Sequence, residues 1–373
     1  MKLPAWATAV FAILLIAKIA AAQTLLPNPA MNAPDELAWL LFLDVNADAS
    51  TPGNNDALFE TWPNDGDTFT IKPARFVREH RPLRLSPQAL VAAHDPSLEG
   101  AGEETNRNQA AYDFIVENHL YSVRGLQAAF GKTLHFPADA VEVKANWYPI
   151  ERIPGYEGAP SEAYRIYHVS NDASGHAYAL VSMHVISKAV PNWTWATFEH
   201  ENSPARCDTL GCTDTFGAQT PFVAPNTARA ARYGTCPHTA VLNALFARAR
   251  IDPAFRHYCL KGTQSDFTDS TGVAVRLGNS VTENGFVAQS SCMTCHARAA
   301  FDRDGKMTSF GGFDSNGNAF IGAVNPAWFW SSENATRIAT QADFVWSIPF
   351  CAIDDTSAAP GPSRRCASSE SRM

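Results

Sequence analysis

Apolar and polar positions alternate with a period of two along Val141–Trp147 and Tyr164–Val169, and two longer β-type segments follow at Ala177–Ile186 and Trp193–His200. Asn171–Gly175 carries a turn signal, and Lys188-Ala-Val-Pro191-Asn192 joins the last two segments. No helical pattern separates them, so the crossovers of a parallel α/β layer are missing. The expectation is an antiparallel sandwich or a strongly curved sheet. Helical spacing governs Asn106–Phe130, through Ala111, Phe114, Ile115, Leu120 and Val123, with Gly125 weakening its far end. Ala240–Arg250 reads as a helix, and so does Ser280–Ala300. From Pro27 to Glu104 the chain is rich in Pro, Asn, Asp and Gly around one short element near Leu37–Val45, and Gly305–Gly322 reads as loop.

The predicted fold class is α+β: a β-rich antiparallel sandwich-like region plus a mainly helical region around Cys292-Met293-Thr294-Cys295-His296, whose CxxCH spacing is that of a c-type haem site. The expected divisions are 1–22, a signal peptide; 23–104, an irregular region; 105–230, a β-rich domain with a leading helix; and 231–373, a mainly helical haem region with a loop-rich tail. Roughly 350 residues would follow cleavage, more than one core usually serves.

The first division rests on Lys2, the apolar run Ala9–Ala17 and the small residues Ala20-Ala21-Ala22, with cleavage expected after Ala22. The apolar run is short for a membrane span, and no later segment is long and apolar enough for one. A periplasmic or secreted protein is expected, with no transmembrane segment after cleavage. The net charge of −8 and the absence of clustered Lys and Arg argue against nucleic acid and favour a basic partner. Eight cysteines suit an oxidising compartment. Setting Cys292 and Cys295 aside, proximity favours Cys207 with Cys212 and Cys351 with Cys366, leaving Cys236 for Cys259.

Cys292-Met293-Thr294-Cys295-His296 carries the chemistry. Two thiols three positions apart can add to the vinyl groups of a haem while the next residue gives an imidazole to the iron. A thioredoxin-like dithiol would need a neighbouring βαβ pattern. Zinc would need two further ligands, and the nearest later cysteine is Cys351. The motif predicts one covalent haem c, bound by Cys292 and Cys295 with His296 as proximal iron ligand.

Candidate distal iron ligands are His200 and His184, which end adjacent strand segments beside an aromatic cluster, with His238 and His257 next. Met307 is close to the box for a swing around a porphyrin, and Met293 lies inside it. An open distal side with Arg298, His200 and Glu199 would suit catalysis instead. Two Asp/Asn-rich stretches, Asp302–Gly305 and Asp314–Asn318, have faint calcium-loop character without a closing glutamate, and ordinary turns are the simpler expectation. Nine tryptophans, Trp147, Trp193 and Trp195 among them, read first as core and second as a substrate pocket.

The phrases Asn192-Trp-Thr-Trp-Ala-Thr-Phe-Glu-His200, Gly262-Thr-Gln264, Asn279-Ser-Val-Thr-Glu283, Ser290–His296 and Phe344-Val-Trp-Ser-Ile-Pro349 resemble exported bacterial monohaem cytochrome c family proteins, mostly of uncharacterised function. The resemblance covers roughly residues 105–350 and implies one haem and a shared architecture around these motifs, but no substrate. The functional expectation is a monohaem c-type cytochrome transferring electrons to a redox partner protein. The alternative is a haem c-dependent oxidoreductase or peroxidase acting on a small-molecule substrate through an open distal site.

Overall fold

The computed structural model describes residues 28–49, 55–86, 101–225, 234–308, 313, 319–333, 335–357 and 366. The expected signal peptide, 1–22, lies outside them. The frame is one open antiparallel sheet of β1 (Gly102–Arg107), β2 (Val141–Pro149), β3 (Val169–Asn171), β4 (Ala177–Ser187), β5 (Thr194–His200) and β6 (Tyr258–Gln264). Their order is β1-β2-β4-β5-β6, with β3 pairing on β4.

Register assigns each face its chemistry. Val143 lies opposite Val185, which lies opposite Ala196; Ala145, Met183, Phe198 and Leu260 form the next row. This apolar face packs on helix α1 (Pro34–Val45), which begins with Pro34 in its first turn and carries Asp35 and Glu36 where the helix dipole favours acidic groups. Trp39 and Phe42 are fully buried, and Phe42 lies 4.4 Å from the ring of Phe198. Asp35 and Asp214 fasten the other side of α1: Asp214 accepts from Trp39 Nε1 at 2.9 Å, and Asp35 accepts from Thr215 and Thr263. The stretch expected to be irregular therefore supplies eight of the 22 buried residues in this cluster, from Ala38 to Leu83.

The opposite face is polar, with rows Lys144–His184–Thr197 and Asn146–Ser182–Glu199 beside Ile186–Trp195–Gln264. A side chain alternating with period two must point somewhere, and here the second face is covered rather than solvated.

Several expectations are corrected. The β-region is a single open sheet, not a sandwich, and residues 231–373 do not form a mainly helical region. That stretch gives β6 to the sheet, and its described α-helices are α5 (Ala240–Arg248), the six-residue α6 (Cys292–Ala297) and Ser347–Cys351. Ser280–Ala300 is not one helix: Asn279 closes a turn at its start, Gly285 adopts φ +93°, and only α6 follows. The helix expected over Asn106–Phe130 is two, α2 (Gln109–Glu117) capped by Asn108 and α3 (Val123–Ala129) capped by Ser122. Between them His119 takes φ +56°. Tyr164–Val169 was expected as a strand, but Pro160 opens a helix, α4 (Pro160–Ile166), that buries Ala163. The chain reaches β3 only at Val169.

Disulfides join Cys207 to Cys212, Cys236 to Cys259 and Cys351 to Cys366, the pairs that proximity favours. A second staple is ionic. His168 is fully buried, with Nε2 2.6 Å from Glu60 and Nδ1 2.9 Å from Asp252, so it ties three distant segments together. Burial alone would depress its pKa, but the charge of Glu60 and the hydrogen bonds that the ring donates to Asp252 and Glu60 outweigh it and raise the pKa to about 9.

A folded-state pKa above the unfolded one stabilises at low pH and is lost as pH rises. Urea unfolding should therefore show stability falling between pH 6.5 and about 9, by on the order of 3 kcal/mol. His168→Gln should cost about 3–5 kcal/mol at pH 6 and flatten that slope. An unchanged slope in the variant would contradict the staple.

Candidate functional site

The polar sheet face meets the Cys292–His296 segment through a lid of backbone turns. Gln264, at the end of β6, accepts from Met293 N at 3.1 Å and donates to Ser291 Oγ at 3.1 Å, which seats the first turn of α6 on the sheet. Thr294 Oγ donates to Gly322 O at 2.7 Å. Asn279 is fully buried: its Nδ2 donates to Thr197 Oγ1 at 2.8 Å, and its Oδ1 accepts from the backbone of Val281 and Thr282. Glu199, also fully buried, accepts from Ser203 Oγ, Ser280 N and Ser280 Oγ, and faces Lys261 Nζ at 3.4 Å. A buried carboxylate is tolerable only with such partners.

Cys292 and Cys295 are the free cysteines, the first buried and the second partly so. The Cys292 thiol donates to Leu277 O at 3.4 Å. Burial and the nearby charge of Glu283 raise both thiols, Cys292 well above its ordinary value and Cys295 to about 11. Burial works to raise Glu283 too, but His184, the Asn279 amide and Lys144 hold its carboxyl below the usual range. Burial also lowers His296 to about 4, so its ring is neutral. His296 Nδ1 donates to Phe344 O at 2.8 Å, and the ring lies 4.4 Å from that of Trp195.

The carbonyl on His296 is aimed by a strained corner. Asp343 and Phe344 take φ +46° and +72°, a conformation that costs non-glycine residues roughly 1–3 kcal/mol each. Lys188 Nζ holds Asp343 Oδ1 at 2.6 Å, and Phe136 N donates to Asp343 Oδ2 at 2.7 Å. The sequence marks Lys188 and Phe344 only as members of longer phrases and leaves Asp343 unmarked, because positive φ at Asp and Phe has no compositional signature.

The structure brings His184 to this site, with Nε2 3.5 Å from Glu283 Oε1. It does not bring His200, which shares the parity of Phe198 and stacks on Tyr167 at 3.6 Å. Both nitrogens of His200 are spent: Nε2 donates to Ile166 O, and Nδ1 accepts from Asn202 N. His238 stacks on Phe246 beneath α1, and His257 pairs with Glu201 at 2.7 Å. Asp302 uses its carboxylate on the amides of Asp304 and Lys306, an ordinary Asp turn, while Asp314–Asn318 lies outside the described residues.

No protein-family model, curated protein or solved structure matches the chain. The likeness to monohaem cytochrome c proteins and the cytochrome reading built on it are corrected by the fold. The described residues form a mixed α+β structure around an open sheet, with six cysteines in three disulfides and the CxxCH segment on a six-residue helix packed into the sheet's covered face. That is neither the helical haem region nor the cytochrome architecture the motif predicted. Covalent haem c, haem-based electron transfer and haem-dependent oxidoreductase or peroxidase chemistry are withdrawn with it. Among the described residues, one group of three metal-ligating types has all its donor atoms within 4.8 Å, namely Asp65, Cys351 and Cys366. Its two sulfurs are bonded to each other and Asp65 pairs with Arg107, so this cluster offers no thiolate.

Asn279→Ala should cost about 1–3 kcal/mol by stranding buried partners and raise hydrogen exchange across 279–296. Unchanged protection there would show that the turn does not hold the site closed.

Proposed function

We propose that the chain is an exported, disulfide-stapled protein whose working centre is the Cys292/Cys295 dithiol. One observation carries this reading: six cysteines are oxidised in three disulfides, while the remaining two stand three positions apart on one helical turn and are free. Three disulfides support an oxidising compartment, and among the described residues no helix is long and apolar enough to cross a membrane.

The reaction is thiol–disulfide exchange. One thiol, as thiolate, attacks a partner's disulfide; the mixed disulfide is resolved by the second, so the pair closes as Cys292–Cys295 and the partner leaves with two thiols. Two electrons and two protons pass to the partner. High thiol pKa values favour the closed disulfide over two thiolates, which makes the reduced pair a reductant rather than an oxidant. Burial slows adventitious attack. The antiparallel sheet provides no βαβ unit, so the centre lacks a thioredoxin-like frame. With a net charge of −8, a basic disulfide-bearing partner associates more readily than an acidic one.

Thiol titration of the denatured, fully reduced protein compared with the natively isolated form tests this. The pair should oxidise reversibly to an intramolecular disulfide with loss of two hydrogens by intact mass, at a midpoint more reducing than about −270 mV. Cys292→Ser or Cys295→Ser should abolish the two-electron step. A mass adduct on Cys292 and Cys295 that survives reduction would overturn the proposal.

A further inference from the structure

Arg298 caps the last turn of α6, one turn beyond Cys295. Its guanidinium lies in the corner formed by two rings that meet edge-on, 3.9 Å from the centroid of Phe320 and 4.9 Å from that of Trp328. Its Nε and Nη1 are buried and have no hydrogen-bond partner. No ion pair reaches it among the described residues, although the chain carries 37 acidic residues against 29 basic ones. Burial lowers its pKa, and the neighbouring Cys295 works in the opposite direction.

A guanidinium is always protonated, and its desolvated donors are costly unless an acceptor meets them. Other buried cations among the described residues are paired, Arg107 with Asp65 and Glu142 and Lys188 with Asp343 among them. Arg298 departs from that rule. Cation–π contact with the two rings restricts the rotamers of Arg298, so less order remains to be imposed on binding. The residue as a whole is half-buried, and Nη2, which is not among its buried donors, is the edge a ligand would meet first. We infer that Arg298, packed into the corner of Phe320 and Trp328, is an anion-recognition residue that binds a carboxylate on the ligand approaching Cys295. The placement beside Cys295 rests on the dithiol reading, while the carboxylate site itself does not.

Benzoate is the probe. Its binding, followed by tryptophan fluorescence, should be saturable in the wild type, retained in the Cys292→Ser/Cys295→Ser double variant, and weakened about tenfold or more in Arg298→Gln. Retention in the serine variant keeps this test independent of the thiols. Arg298→Lys, which keeps charge but not the planar fork, should fall between the two. Protection of Arg298 from phenylglyoxal by benzoate, mapped by mass spectrometry on the wild-type protein, gives the same answer without relying on a variant that folds. The dithiol placement predicts in addition that a dicarboxylate aromatic disulfide oxidises the pair about tenfold faster, relative to uncharged dithiodipyridine, in wild type than in Arg298→Gln. Equal benzoate affinity in Arg298→Gln together with no protection of Arg298 would overturn the site. Preference for inorganic phosphate over benzoate would overturn the carboxylate assignment.

Discussion

Everything near the CxxCH segment depends on one constraint: the six-stranded sheet buries a polar face. An apolar face needs only shape and volume, and α1 supplies both through Trp39 and Phe42. A polar face taken out of water needs a partner for nearly every donor and acceptor, because each unmet group costs about 1–3 kcal/mol. Glu199, Thr197 and Gln264 find theirs on the Asn279–Glu283 turn, Ser203 and the start of α6. The cover is therefore held by directional bonds rather than by burial alone, and its position is fixed more narrowly than hydrophobic packing would fix it.

That directional fixing extends to His296. Its tautomer is set by the Phe344 carbonyl, which leaves Nε2 as the bare nitrogen of a neutral ring. The carbonyl points there only because Asp343 and Phe344 accept left-handed backbone angles, and the Lys188–Asp343 pair over-determines that corner. Lys188 leaves β4 at its far end, so the same strand that carries His184 also anchors the loop aimed at His296. Strand, loop and helix are coupled through one buried ion pair.

Legibility in the sequence followed physical range. Local signals read well: the alternation in Val141–Trp147 appears in β2, the long β-type segments Ala177–Ile186 and Trp193–His200 appear as β4 and β5, and short cysteine separations appear as disulfides. Competing local signals misled. Tyr164–Val169 alternates, but Pro160 and Glu162 start a helix before the alternation can act. Strand β6 escaped because Lys261 and Gly262 break its pattern at the bulge opposite Thr197 and Phe198. The five phrases that carried the cytochrome likeness do converge around Cys292–His296 in space, through Gln264, Asn279, Glu199 and Phe344. What the phrases could not convey is the frame around them, since a motif of five residues specifies its own turn and says nothing about whether helices or a sheet enclose it.

The same frame explains why two thiols can persist unpaired in a chain that oxidises its other six. Cys292 sits in the core with Trp195, Phe344 and Ile348, and its proton is committed to Leu277 O. Glu283 stays ionised beneath it, held by His184 and the Asn279 amide, so a second negative charge on sulfur is resisted from the same turn that closes the sheet. Loosening that turn would lower the thiol pKa and expose the pair together. Reactivity at Cys292 and Cys295 and closure of the polar face are thus two readings of one equilibrium, and the hydrogen bonds of Asn279 and Glu199 set its position.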